Sequence, residues 1–190
     1  MTVVPHDSYT ADLYLTRVLD HELSSEHVLL VTLTDGHLGE DNFITQPLLI
    51  LVEDSNDNTP VFVTLPGTVS VIEHDLPDDN IIATFTAEDR DSGAFGQVVY
   101  GLAANQESDI FQHFSVATIK NEGVLKLETE LDFESKHLYQ VVVEAMDRAS
   151  VGQVNTAQAT IIVEVSLEIL ILSSNFLIRL RTLVISLQSG

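Results

Sequence analysis

Apolar and polar residues alternate with a period of two through several short runs of the chain. Ile81, Ala83, Phe85 and Ala87 share one parity, Val98, Tyr100 and Leu102 form a second run, and Tyr139, Val141, Val143 and Ala145 a third. Successive side chains of an extended strand point to opposite faces, so each run offers one apolar face for burial. Thr68–Glu73, Phe114–Thr118, Val124–Leu127 and Thr156–Val165 bring the number of strands to seven, with turn signals at Asp91-Ser92-Gly93 and Asn121-Glu122-Gly123 between them. Helical periodicity is weak throughout. The pattern predicts an all-β chain: a seven-strand antiparallel sandwich over residues 61–168, preceded by residues 1–53 as the last three strands of a similar domain.

The second expectation rests on an internal repeat. At an offset of 112 residues, Leu19-Asp20-His21-Glu22 falls on Leu131-Asp132-Phe133-Glu134, Val31 on Val143, Asp35 on Asp147 and Gln46 on Gln158. The apolar run 27–33 falls on 139–145 without a gap. That period is far beyond solenoid lengths and matches one small β-sandwich domain of about a hundred residues. Between the copies lies Asp54-Ser55-Asn56-Asp57-Asn58-Thr59-Pro60, short polar residues closed by a proline, which suits a linker over 54–60.

The chain end departs from this pattern. From Ile169 to Gly190 there is no acidic residue, and Leu, Ile, Val and Phe fill twelve of the 22 positions. Its longest uncharged stretch, Ile169 to Ile178, is stopped by Arg179 and Arg181. A spanning helix needs about twenty apolar residues, so residues 169–190 read as an apolar tail, non-native or divergent, and not as a transmembrane segment. At the other end Pro5, His6 and Asp7 break any signal-peptide pattern.

Charge narrows the function. Against 8 Lys+Arg stand 29 Asp+Glu, a formal net charge of -21 in 190 residues. Such a chain lacks the basic footprint that phosphate backbones require, so no nucleic-acid partner is expected, and its field attracts cations. The absence of cysteine excludes disulfide frameworks, thiolate zinc sites and cysteine nucleophiles together. Carboxylates cluster next to strand ends, at Asp20 and Glu22, Asp54 and Asp57, Asp89 and Asp91, and Asp147. Hard cations such as Ca2+ take six to eight oxygen ligands, and acids two residues apart form partial cages.

Familiar site motifs do not fit. An EF-hand starting at Asp54 would have Thr59 where glycine is needed and Leu65 at position twelve; one starting at Asp89 would have Ala94 and Tyr100 there. His21-Glu22-Leu23-Ser24-Ser25-Glu26-His27 suggests a zinc protease, but Ser25 stands where the second histidine belongs. No nucleophile elbow, phosphate loop or dinucleotide fingerprint is present, and no enzyme is expected.

Four motifs carry a resemblance to the cadherin family over about residues 10–168. The linker Asp54 to Phe62 is similar to the family's inter-repeat motif almost letter for letter. Asp89-Arg90-Asp91-Ser92-Gly93 resembles its D-x-D-S-G motif, Leu131-Asp132-Phe133-Glu134 its L-D-x-E motif and Ala145-Met146-Asp147 its A-x-D motif. The resemblance implies tandem Greek-key, immunoglobulin-like sandwiches, the first truncated, with three calcium ions between successive repeats. Carried over residue by residue, the outermost ion would use Asp20, Glu22 and Asp57. The middle ion would use Glu22, Asp54, Asp57, Asp91 and the carbonyl of Ser55, and the third Asn56, Asp89, Asp91, Asp147 and the carbonyls of Asn58 and Phe95. Phe95 replaces the family's usual Asn, although the ligand there is a backbone carbonyl.

A glutamate early in the family's first repeat bridges the outer two ions and has no counterpart in this sequence; the corresponding residue of the second repeat is Glu73. Glu73, Asp132 and Glu134 resemble half of another junction, but the repeat offset puts Ser166-Leu167-Glu168-Ile169-Leu170 where its linker should stand, so that junction is incomplete. The implied function is Ca2+-dependent cell–cell adhesion by a cell-surface protein on the extracellular side of the plasma membrane. Its partners would be other cadherin-like ectodomains, homophilic or heterophilic, and it would meet the membrane only through parts outside this sequence. The alternative is an acidic β-sandwich accessory domain of a secreted protein. Asp91→Ala is expected to weaken Ca2+ binding most, and Asp109→Ala, outside every motif, to be near neutral.

Overall fold

The structure, a computed structural model, describes residues 1–5, 10–34, 42–150, 153–167, 169–173 and 176–180. Asp35, Glu168 and residues 181–190, on which part of the repeat and tail expectations fall, lie outside the described residues. The chain divides into two units, Met1–Ser55 and Asn56–Gly190.

In the first unit β1 (Thr2–Pro5) pairs antiparallel with β2 (Ala11–Tyr14), and β3 (Glu26–Thr34) with β4 (Phe43–Leu51). The β3–β4 ladder runs without a bulge from Glu26 opposite Leu51 to Thr34 opposite Phe43, and the hydroxyls of Thr32 and Thr45 bond across it at 2.8 Å. Both strands are mostly exposed, with Leu30 72% and Phe43 70% accessible.

The second unit forms two four-stranded sheets among the described residues. One has the order β5 (Val61–Thr64), β7 (Ile81–Glu88), β10 (Glu122–Leu127), β9 (Phe114–Ile119). The other has the order β6 (Thr68–Ile72), β12 (Thr156–Ser166), β11 (Leu138–Met146), β8 (Val99–Leu102). The alternating runs bury the faces the sequence offers: Val141, Val143 and Ala145 of β11 meet Ile161 and Val163 of β12, all five fully buried. Phe85 packs edge-on against Tyr100 at 5.3 Å, and Phe114 against Tyr139 at 5.4 Å. The Tyr100 hydroxyl accepts from the Ala87 amide at 2.7 Å, which satisfies a polar group inside the core.

Four features depart from the sequence-based expectation. Residues 1–53 hold four strands, β1 to β4, where the repeat predicts three. Val61–Thr64 is an eighth strand, because the first strand breaks at Leu65-Pro66-Gly67 and its two halves join different sheets. Proline cannot donate to a ladder, which stops β5 there. As a result β6 runs parallel to β12, Thr68 opposite Ile162, so the sandwich is not wholly antiparallel. A single turn of helix, α1 (Ser108–His113), precedes β9. In the tail, β13 (Ile169–Ser173) and β14 (Phe176–Leu180) pair antiparallel as a separate two-stranded sheet.

Candidate metal centre

In the second unit the strand ends bring acids and amides into one network. Asp91 and Asp147 are 6% and 3% accessible, the two buried charged side chains among the described residues. Asp91 follows β7 and accepts from both the backbone N–H of Asn58, at 3.2 Å, and its carboxamide, at 2.5 Å. Asn58 also donates to Asp57, which ties that exposed acid to the same strand entry. Asp147 follows β11 and accepts from the Asn56 carboxamide at 2.8 Å, the Asn155 amide at 2.8 Å and the Ala149 amide at 2.9 Å. Asp89 accepts from the Asp91 amide through one oxygen at 3.0 Å; its second oxygen is buried and has no hydrogen-bond partner.

The charges feel one another. Burial pushes the Asp89 carboxyl above the usual range, and the neighbouring carboxylates of Asp91 and Asp147 push the same way against two backbone hydrogen bonds. Burial acts on Asp147 as well, but its bonds from Ala149, Asn155 and Asn56 outweigh it and hold the group below the usual range. The loop 93–96 closes onto this site because Gly96 has no side chain: a Cβ there would lie 1.9 Å from the Asp91 carbonyl. Phe95 adjoins Gly96 in that loop.

Asn155 went unseen in the sequence. Its carboxamide donates to the Asn58 carbonyl at 2.6 Å and to the Asn56 side-chain oxygen at 3.1 Å, gathering two expected ligand oxygens onto one side chain. No signal could have found it, since its partner at the repeat offset is Phe43 and its contacts lie 97 and 99 residues away.

The first unit holds Asp20, Glu22, Asp54 and Ser55. Asp20 caps a tight turn, accepting from the Leu23 amide at 3.0 Å, and His21 bonds the Val52 carbonyl at 2.7 Å. That bond ties the turn bearing Asp20 and Glu22 to the strand end that leads into half-buried Asp54. At the other end of the sandwich, ligand atoms of Glu73, His74 and Asp132 lie within 4.8 Å of one another. Glu134 is exposed, and its backbone N–H donates to Asp132 at 3.0 Å.

Residues 68–164 match the cadherin domain model. This chain belongs to the cadherin family. It is 32% identical over 173 residues to protocadherin alpha-13 of Homo sapiens, covering 85% of this chain and 18% of that protein. With protocadherin Fat 1 of Homo sapiens the identity is 36% over 160 residues, 84% of this chain and 3% of the relative. Mouse clustered PcdhgC3 EC1-3 superposes with a TM-score of 0.74 at 31% identity, over 86% of this cadherin chain and 51% of that one. The chain spans 18% and 3% of the length of these two curated relatives. Among its described residues no helix is long and apolar enough to cross a membrane.

The oxygens gathered in the second unit fit a hard cation. Donors are carboxylates, carboxamides and carbonyls without a nitrogen or sulfur ligand, and the orphaned buried oxygen of Asp89 marks a charge that the protein alone leaves uncompensated.

Proposed function

We propose that this chain binds Ca2+ at the junction of its two repeats and serves calcium-dependent adhesion as part of a cadherin-like protein on the extracellular face of the plasma membrane. The observation that supports it best is the triad of buried Asp91 and Asp147 with half-buried Asp89, linked through Asn56, Asn58 and Asn155. In this reading the third ion takes Asn56, Asp89, Asp91, Asp147 and the carbonyls of Asn58 and Phe95. The outer two take Asp20, Glu22, Asp54, Asp57, Asp91 and the Ser55 carbonyl. Bound Ca2+ supplies the positive charge that offsets seven carboxylates and stiffens the joint between repeats.

The protein's own part is to hold like charges close before any ion arrives. Hydrogen bonds from Asn56 and Asn58 fix the carboxylates of Asp147 and Asp91, so little rotamer freedom is left to lose on binding. The partners in this reading are other cadherin-like ectodomains. The solved relative protocadherin gammaB7 EC3-6, 25% identical with a TM-score of 0.73, is a cis-dimer, which favours contacts between like chains.

Calorimetric titration of the 190-residue chain with Ca2+, with scattering followed in parallel, tests this. Binding at about 0.1 to 1 mM with a lengthening and narrowing of the size distribution is expected. No heat and no change in scattering up to about 10 mM would overturn it.

A further inference from the structure

Antiparallel strands with one wet face alternate apolar and polar residues, whereas strands covered on both faces read as continuous apolar runs. β3 and β4 are of the second kind: Val28-Leu29-Leu30-Val31 and Leu48-Leu49-Ile50-Leu51 run without a polar residue. Their register sorts them onto two faces. His27, Leu29, Val31 and Leu33 match buried Tyr139, Val141, Val143 and Ala145 of β11 at the repeat offset, so theirs is the face over which a sandwich closes. The opposite, outer face carries Val28, Leu30, Phe43, Pro47, Leu49 and Leu51, and all but Pro47 of these are 54% to 72% accessible. In the second unit the same ladder positions are mostly polar. Gln140 stands for Val28, Thr156 for Phe43, Thr160 for Pro47 and Glu164 for Leu51, and Gln158 donates to Glu144 across that face at 2.7 Å. That face of the second unit suits water, and its counterpart in the first does not.

We propose that the outer face of β3–β4 is where a second copy of this chain docks, two such faces packing on one another about a two-fold axis. Charge selects the occupant. Glu26, at the end of the ladder, is the one charged side chain on this face among the described residues, although the chain carries a net charge of -21. A partner of opposite charge finds little to pair with here, and a like-charged copy is repelled least across a neutral patch. A two-fold arrangement sets a patch against its own image, so apolar meets apolar, and two sheets stack in this way about 10 Å apart. Strands that complete the first sandwich cover the other face and leave this one open. Six large side chains at this exposure offer roughly 500 Å² of apolar surface, the size of a functional patch but below a standard interface, so the dimer is weak. The assignment rests on the reading that like chains are the partners, and adds the surface they use.

Sedimentation equilibrium of the 190-residue chain in about 2 mM Ca2+ tests it. A monomer at about 1 µM and a dimer by about 500 µM are expected. Val28→Gln with Leu51→Glu puts the second unit's residues on the outer face and should weaken the dimer at least about fivefold. Leu33→Ala with Ile44→Ala does the same on the other face and should weaken it less than the outer pair does. The chain has no cysteine, so single introduced thiols report the contact without relying on its strength. Leu30→Cys, at the middle of the ladder and hence near the axis, should form an intermolecular disulfide at least about fivefold faster than Leu33→Cys. A smaller loss in the outer-face variant, an equal loss in the other, or a smaller difference in linking rate overturns the surface and leaves the like-chain reading standing. A chain that stays monomeric to about 1 mM overturns both, while Ca2+ binding is judged apart, by its own heats.

Discussion

Asp91 carries two duties that a substitution separates. It accepts two hydrogen bonds from Asn58 in a nearly dry setting, and its charge adds to that of Asp89. Asp91→Ala strands the Asn58 donors but relieves repulsion, so without calcium the net loss should be about 1–2 kcal/mol, read by urea unfolding in EDTA. With calcium the loss should grow, since affinity falls at least about tenfold; equal Ca2+ heats for variant and parent would remove Asp91 from the site. Asp109 teaches the opposite lesson. It lies outside every motif and pairs with Lys136 at 2.7 Å, and Lys136 also reaches Glu107 at 2.6 Å. The hydrogen bond from Lys136 holds the Asp109 carboxyl below the usual range, and Asp109 in turn, with Glu107, raises the Lys136 ammonium. A depressed acid stabilises the fold above its unfolded value near 3.8 and loses that contribution as pH falls through its folded value. The raised Lys136 contributes below 10.5 and loses that contribution as pH rises through its own folded value. Asp109→Asn should therefore cost at most about 1 kcal/mol between roughly pH 5 and 9, with the gap to the parent closing below about pH 4 and no change in Ca2+ binding. A gap in Tm that persists at pH 2.5 would mean that packing, not charge, is what Asp109 supplies. The motif acids could be read from the sequence because their spacing is local, whereas Asp109–Lys136 and Asn155 depend on residues brought together only by the finished fold.

Strands could be read wherever one face is buried, because burial imposes a period of two on the residues themselves. β11 is the clearest case: Tyr139, Val141, Val143 and Ala145 are all buried, and the residues between them are not. β5 escaped notice because four residues after a proline give too few alternations to register, and α1 because one turn shows no helical period. The parallel pairing of β6 with β12 is not written in either strand; it follows from the break at Leu65-Pro66-Gly67, which sends the two halves of one run to different sheets. Packing across β7 and β10 is specific enough to predict from. Gly123 sits opposite Phe85 in the ladder, and a Cβ at Gly123 would lie 2.3 Å from the Phe85 ring. That ring is fully buried against Tyr100, so it has nowhere to swing. Gly123→Ala should destabilise the second unit by about 1–3 kcal/mol in thermal or urea unfolding. In a Phe85→Leu background the added methyl should cost clearly less, and equal costs in both backgrounds would show that the glycine matters for another reason.

The two units test how far a strand pattern determines burial. Shifted by 112 residues, β3 (Glu26–Thr34) coincides end to end with β11 (Leu138–Met146), so the local sequence specifies the same ribbon twice. Yet Val143 is 0% accessible while its counterpart Val31 is 36%, and Leu33, the counterpart of fully buried Ala145, is 69% accessible. What differs is the surroundings: β11 lies between β8 and β12 and under a second sheet, whereas among the described residues of the first unit β3 pairs with β4 and no other strand. A hairpin alone is marginal in water, since its ladder is open to solvent and its apolar face gains little from burial. Amide exchange of the 190-residue chain should therefore be uneven. Protection should be high for residues 139–145 and 159–163, approaching global unfolding of the second unit, and near that of an open hairpin for 27–33 and 44–50. Adding Ca2+ should leave that contrast in place, because ions at strand ends do not supply a missing sheet. Slow exchange across 27–33 at every chain concentration would contradict the incomplete-sandwich reading. Slow exchange that appears only as concentration rises would show instead that a second copy covers the ribbon, with Leu30 and Leu33 passing from water into an interface.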